Sequence, residues 1–194
     1  MTDNKLQIWF PTCIFYVENL IDKKENNYLI EEILKIKKTT KKGGKNWISK
    51  VYNTFDTLSI HKIAEFKNLC SKIEEQTNLF SKCLGSNENY KINESWLNFY
   101  NKNDFQEYHY HSMSFFSAVY FFSNPLKSGR LIFQSPNEPD MMPLKNLQEN
   151  NYTYKTCAYD PPETSLVIFR SSLFHMVEKC ESDEPRITAA FNII

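Results

Sequence analysis

Tyr108-His109-Tyr110-His111-Ser112-Met113-Ser114 leads into Phe115-Phe116-Ser117-Ala118-Val119-Tyr120-Phe121-Phe122, an aromatic and β-branched run that reads as a strand through a protein core. Side chains alternate faces along a strand, so His109 and His111, two apart, project from the same face. Two imidazoles then address one space. Of the four histidines in the chain, a third, His175, follows another β-like run, Ser165-Leu166-Val167-Ile168-Phe169. It is the natural third ligand of a metal site. Glu107 lies two residues before His109 and Asp104 is nearby, so a carboxylate could join or replace an imidazole. The plainer reading makes these ordinary polar residues on a half-buried strand, and His-x-His alone is a weak signal. Arg186, buried in sequence between Pro185 and the apolar stretch from Ile187 to Ile194, adds weight: it calls for something anionic, unless it pairs with Asp183 or Glu184 at the surface.

From Tyr90 onward the chain reads as strand after strand, at about 89–100, 105–111, 115–123, 129–134, 152–158, 165–170, 174–180 and 186–193. Turn signals such as Asn124-Pro125, Ser128-Gly129, Ser135-Pro136-Asn137 and Asp160-Pro161-Pro162 separate them. Short strands with no helices between them imply antiparallel pairing into a sandwich or jelly roll. The stretch from Pro139 to Asn151, rich in Met, Pro, Asn and Gln, interrupts the rhythm and reads as a surface loop, a candidate lid at the mouth of the barrel.

Ahead of this lie helices. Leu6 to Val17 mixes aromatic and β-branched residues around Pro11, as an edge strand or two short strands would. From about Asn27, Leu29, Ile30, Ile33, Leu34 and Ile36 give an amphipathic helical stripe, ending in the lysine-rich segment Lys37–Lys42 before Gly43-Gly44. Those lysines read as a solvated helix end before they read as a binding patch. A second helical pattern runs from Ile60 to Leu84, with Gly85 as its stop. His61, at its head, has no ligand-like neighbours. The two helices should pack on one face of a sheet.

The chain has 194 residues, enough for one domain over 1–194, with 1–88 supporting a β core at 89–194. Lys plus Arg (23) balances Asp plus Glu (23), so bulk charge advertises neither nucleic acid nor an anionic membrane as a partner. Cys13, Cys70, Cys83, Cys157 and Cys180 are odd in number and contain no Cys-x-x-Cys pair, which suits reduced thiols and a cytoplasmic location. The N-terminal residues are polar, the next apolar run is broken by Pro11, and no stretch approaches membrane-spanning length; neither a secretory signal nor a membrane segment is expected. A homodimer is left open.

The ordered set of His109-x-His111, His175 and Arg186-Ile187-Thr188 resembles the iron(II)- and 2-oxoglutarate-dependent oxygenases with a double-stranded β-helix fold. More specifically, Phe10-Pro11-Thr12, Trp96-Leu97-Asn98, Ser117-Ala118-Val119-Tyr120-Phe121, Phe169-Arg170-Ser171-Ser172-Leu173-Phe174-His175 and Arg186-Ile187-Thr188-Ala189-Ala190-Phe191-Asn192 are similar, in order and spacing, to a group of small oxygenases of this superfamily. The resemblance implies an α+β, cupin-like jelly roll with the N-terminal helices outside the sheet. It implies Fe(II) on His109, His111 and His175, with 2-oxoglutarate and O2 as co-substrates. It also implies hydroxylation of a small-molecule or protein side-chain substrate with release of succinate and CO2. Arg186 would hold the distal carboxylate of 2-oxoglutarate, with Thr188, Tyr120 and Asn98 as further donors. His111 departs from the wider pattern, which has Asp there, and a third imidazole leaves the protein ligands without negative charge. That departure keeps two alternatives open: a three-histidine enzyme of cupin type not using 2-oxoglutarate, either an iron dioxygenase or a zinc hydrolase, and a non-catalytic binding module.

Overall fold

The computed structural model describes residues 5–44, 47–137, 145, 146 and 148–194. Among the described residues, ten strands form two antiparallel sheets. In the larger, β1 (Ile14–Val17), β8 (Leu166–Arg170), β5 (Phe116–Ser123), β10 (Arg186–Ile193), β3 (Ile92–Tyr100) and β2 (Tyr52–Asn53) lie side by side in that order. The smaller runs β4 (Gln106–His109), β9 (His175–Val177), β6 (Leu131–Gln134) and β7 (Thr156–Tyr159). This is a double-stranded β-helix of α+β class, with both helices on the outer face of the larger sheet.

Strict alternation assigns the two faces of that sheet. On β10, Ile187, Ala189, Phe191 and Ile193 join the core under the helices, with Leu97 and Phe99 of β3 and Phe116, Ala118, Tyr120 and Phe122 of β5. The alternate positions turn inward: Tyr100, Phe121, Val167 and Phe169 meet Leu131, Phe133 and Val177 of the smaller sheet. Every residue of β10 is buried, as expected of a strand paired on both sides and covered on both faces. Its inward set is Arg186, Thr188, Ala190 and Asn192. Three of those four are polar, in the middle of a core, and they mark where the chemistry lies.

Helix α1 spans Lys23–Thr39 and starts a turn earlier than its apolar stripe suggests, because the Asp22 side chain caps it by accepting from Glu25 N at 2.8 Å. Leu29 and Ile33 are fully buried while Leu34 is exposed, so the stripe is narrower than expected. Asn26 fastens the helix to β5: its Nδ2 donates to Phe122 O at 2.9 Å and its Oδ1 accepts from Tyr120 Oη at 3.0 Å. Lys37 lies over the Phe99 ring at 4.2 Å, in keeping with a packed helix end. The second pattern divides. Residues Ile60–Lys62 and Ala64–Phe66 are short 3-10 turns, and α2 proper is Lys67–Cys83, stopped at Gly85 with a left-handed φ of 87°.

Strand β1 is an edge strand, but only Ile14–Val17 of the apolar N-terminal segment pairs, and Leu6, Ile8, Trp9 and Phe10 are exposed. β7 begins four residues later than expected, at Thr156. Of the stretch from Pro139 to Asn151, residues 139–144 and 147 lie outside the described residues, and the lid reading with them. All five cysteines are free thiols. Among the described residues no helix is long and apolar enough to cross a membrane.

Candidate metal and co-substrate site

One pocket between the sheets is lined by His109, His111 and His175 together with Trp47, Trp96, Asn98, Tyr100, Gln106, Arg186 and Thr188. The three histidines meet through strand pairing. His109 and His175 are direct cross-strand partners on β4 and β9, and His111 follows just beyond the end of β4, where its backbone N donates to Ser171 O at 2.9 Å. One ring nitrogen from each comes within 4.8 Å of the others, which makes this the group of metal-ligating side chains found among the described residues.

Neighbouring acceptors fix which nitrogen is free. His109 Nδ1 lies 2.8 Å from Glu107 O and His175 Nδ1 2.9 Å from Leu173 O. A carbonyl oxygen only accepts, so each Nδ1 carries the proton and each Nε2 keeps its lone pair. His111 Nδ1 lies 2.5 Å from Asn192 Oδ1, an acceptor of the same kind. Burial pushes all three imidazoles toward the neutral form: His109 below its usual value, His111 down to about 4, and His175 well below 6.5, with the other two rings adding to the effect at His175. Neutral imidazoles with free Nε2 atoms are the donor form a divalent transition metal needs. Phe169 and Phe133 wall His175, at ring-centroid distances of 4.7 and 5.9 Å, and Trp96 stacks on His111 at 5.5 Å.

The candidate carboxylates stay out of this cluster. Glu107 Oε1 accepts from Ile48 N at 3.1 Å, and Asp104 Oδ2 accepts from Asn101 N at 2.8 Å, closing a turn. The donor set is three imidazoles.

Arg186 lies at the start of β10, opposite Tyr100 in the register, and is 1% exposed. Its guanidinium sits over the rings of Tyr100 and Phe121, at 5.3 and 5.0 Å, and one terminal nitrogen donates to Gly129 O at 2.5 Å. Neither Asp183 nor Glu184 pairs with it; Asp183 holds Lys102 instead, at 2.7 Å. Among the described residues no ion pair neutralises Arg186, and its Nε has no hydrogen-bond partner. Burial lowers the pKa of Arg186 and lifts that of the facing Tyr100 hydroxyl to about 12. Gly129 is required beside it. Its φ is 89°, and a Cβ there would sit 2.3 Å from Glu178 O.

Thr188 and Asn98 pair across β10 and β3 and line the same pocket, 1% and 5% exposed, with Asn98 Oδ1 unsatisfied. Tyr120 does not belong here. It stands on the opposite face of β5, bonded to Asn26 under α1, because the register puts the even positions of that strand toward the helices. His61 is also elsewhere, 2.8 Å from Ser95 Oγ. Tyr100, Gln106 and Trp47 line the pocket and went unnamed in the sequence reading. Tyr100, two positions beyond Asn98 on the same strand face, could have been found by alternation alone. Gln106, 5% exposed with Oε1 unsatisfied, carried no such signal, since a bulge breaks the register between Gln106 and His109.

A buried cation and a trio of imidazoles thus share one cavity in a jelly roll. Solved structures of the same fold include the epimerase SnoN from nogalamycin biosynthesis, with TM-score 0.71 and 10% identity over 94% of this chain and 78% of that one. They also include a prolyl-4-hydroxylase from Pseudomonas putida, with TM-score 0.64 and 11% identity over 93% of this chain and 92% of that one. A third is a prolyl hydroxylase from Trichoplax adhaerens in complex with a hypoxia inducible factor peptide fragment, with TM-score 0.64 and 15% identity over 92% and 82%. At such identities the likeness speaks for the fold alone. A search of curated proteins finds no significant match. Residues 94–192, just over half the chain, match the family model described as "Putative 2OG-Fe(II) oxygenase", from Glu94 on β3 to Asn192 on β10 and so across every residue of the pocket except Trp47. The chain belongs to the 2OG-Fe(II) oxygenase family.

Proposed function

We propose that this chain is an iron(II)- and 2-oxoglutarate-dependent dioxygenase that hydroxylates a small-molecule or side-chain substrate, releasing succinate and CO2. His109, His111 and His175 would hold the metal through Nε2, and Arg186 would hold the distal carboxylate of 2-oxoglutarate. The observation that carries this reading is Arg186 itself: a guanidinium at 1% exposure, with no counter-ion and an unsatisfied Nε, lining the same pocket as three free imidazole nitrogens.

A buried, unpaired charge is costly, and a planar guanidinium offers a carboxylate two parallel charged hydrogen bonds. Thr188 can donate its hydroxyl to the same carboxylate. Asn98 and Gln106 can orient the rest of the dianion by donating their side-chain amide N–H groups to it. The rings of Tyr100 and Phe121 hold the guanidinium flat and exclude water from it. Three neutral imidazoles bring no charge, so the dianionic co-substrate would supply the neutralisation the metal needs. Bound iron(II) supplies the activation of O2 that couples decarboxylation of 2-oxoglutarate to substrate oxidation.

The test is turnover. With Fe(II) and O2, the protein should release labelled CO2 from 2-oxoglutarate labelled at C1, and His175→Ala should lose both this release and stoichiometric metal while keeping its fold. Stoichiometric metal in His175→Ala would overturn the ligand role of His175, whereas metal binding by the wild type with no 2-oxoglutarate consumption under any substrate would instead favour a three-histidine metal enzyme without that co-substrate.

A further inference from the structure

His111 differs from the other two imidazoles in what stands behind it. His109 and His175 each lean on a backbone carbonyl, whereas His111 leans on a side chain, Asn192. Asn192 in turn donates its Nδ2 to Glu94 Oε2 at 2.7 Å, and the two residues are direct cross-strand partners on β10 and β3. Ser117, its register partner on β5, completes the cradle by donating to Asn192 Oδ1 at 3.3 Å while contacting Ser171 Oγ at 2.9 Å.

The order of these groups fixes every orientation in turn. A carboxylate accepts and cannot donate, so the amide nitrogen of Asn192 must face Glu94. Its oxygen must then face His111, and His111 must carry its proton on Nδ1. Glu94 thereby sets, two hydrogen bonds away, which nitrogen His111 presents to the pocket. It is also the carboxylate in hydrogen-bond continuity with a metal-ligating imidazole: Glu107 engages Ile48 N through Oε1, and its Oε2 bonds nothing among the described residues.

The geometry points to Glu94 and Asn192 as positioning residues of the metal centre: Glu94, through Asn192, locks the His111 tautomer and lends anionic character to an otherwise uncharged ligand set. Polarising the Nδ1–H bond makes the opposite nitrogen a better donor, so the pair should raise metal affinity without touching metal, co-substrate or substrate. This rests on the metal-site reading above.

The experiment uses the full chain and two readouts that need no turnover. In the metal-free protein, nitrogen-15 spectra of the histidine rings should show His111 protonated at Nδ1, and Glu94→Gln should relax that preference. With cobalt(II) alone as probe, chelator competition should show Glu94→Gln binding about tenfold more weakly than wild type, and Asn192→Leu weaker by about 10–100-fold. The exposed Glu31→Gln serves as control and should match wild type. Unchanged cobalt affinity in a folded Glu94→Gln overturns the inference and leaves the metal site standing. So does a wild-type His111 protonated at Nε2, a result available even if the variants fail to fold. A wild type that takes up no cobalt overturns the metal-site reading and this inference together.

Discussion

Arg186 illustrates how a residue proposed to bind a ligand can work against the fold that contains it. Its charge is removed from water and meets two aromatic faces and one carbonyl, which compensate only part of the lost hydration. Replacing it by a residue of similar length without charge, Arg186→Met, should therefore stabilise the ligand-free protein, by about 1–4 kcal/mol if it behaves as other buried ion replacements do. The same change should abolish 2-oxoglutarate binding while sparing the metal. Thermal denaturation with and without 2-oxoglutarate checks both halves; a variant that is less stable and still binds would refute the assignment. The histidines make a second prediction. His109, His111 and His175 are held neutral by burial, with His111 down to about 4, whereas an unfolded imidazole titrates at about 6.5. Below the latter value the unfolded chain binds protons that the folded chain refuses. Stability of the metal-free protein is thus full above that pH and falls as pH drops toward 4, measurable by urea denaturation across this window in chelator.

Among the elements, β10 organises both halves of the molecule. Its outward residues carry the helices and its inward residues carry Arg186, Thr188 and Asn192, so a shift of one residue in its register would exchange core for site. The turn before β6 supports it from the side. Gly129→Ala would force a Cβ against Glu178 O and strain a φ of 89°, displacing the carbonyl that receives Arg186. We expect a loss of about 1–3 kcal/mol in stability and a weaker hold on 2-oxoglutarate, with metal affinity unchanged. Calorimetry on the variant checks this; a fall in metal affinity alone would show that the turn supports the histidines instead. Most of these elements were legible from alternation and turn chemistry, and seven of the eight expected β segments from Tyr90 onward begin within three residues of the observed strands. What failed to show was parity. Nothing in the run from Phe116 to Ser123, buried or half-buried throughout, says which face meets the helices, so Tyr120 looked as eligible for the site as Phe121. The start of α1 escaped notice because its first turn is polar and its cap, Asp22, precedes the stripe.

At the scale of the whole molecule, the site spans both sheets. His109 and His175 come from the smaller sheet, Arg186, Thr188 and Asn98 from the larger, and Phe133, Val167 and Phe169 fill the space between. The histidines were readable because spacing, order and scarcity agreed. Gln106, Trp47 and Glu94 were not, because their roles depend on which strands meet. Ligands that touch both sheets should bind the folded state and stabilise it by RT ln(1 + [L]/Kd), or about 2.7 kcal/mol at a hundredfold excess over Kd. Metal and 2-oxoglutarate together should therefore raise the melting temperature more than either alone, and chelation should reverse the gain. The most direct measurement is an anaerobic calorimetric titration of 2-oxoglutarate into the protein with and without Fe(II), repeated on Arg186→Met. Saturable binding that requires the metal and disappears with Arg186 is the expected result. Binding that survives the loss of Arg186, or metal binding with no response to 2-oxoglutarate, would contradict the proposed pocket.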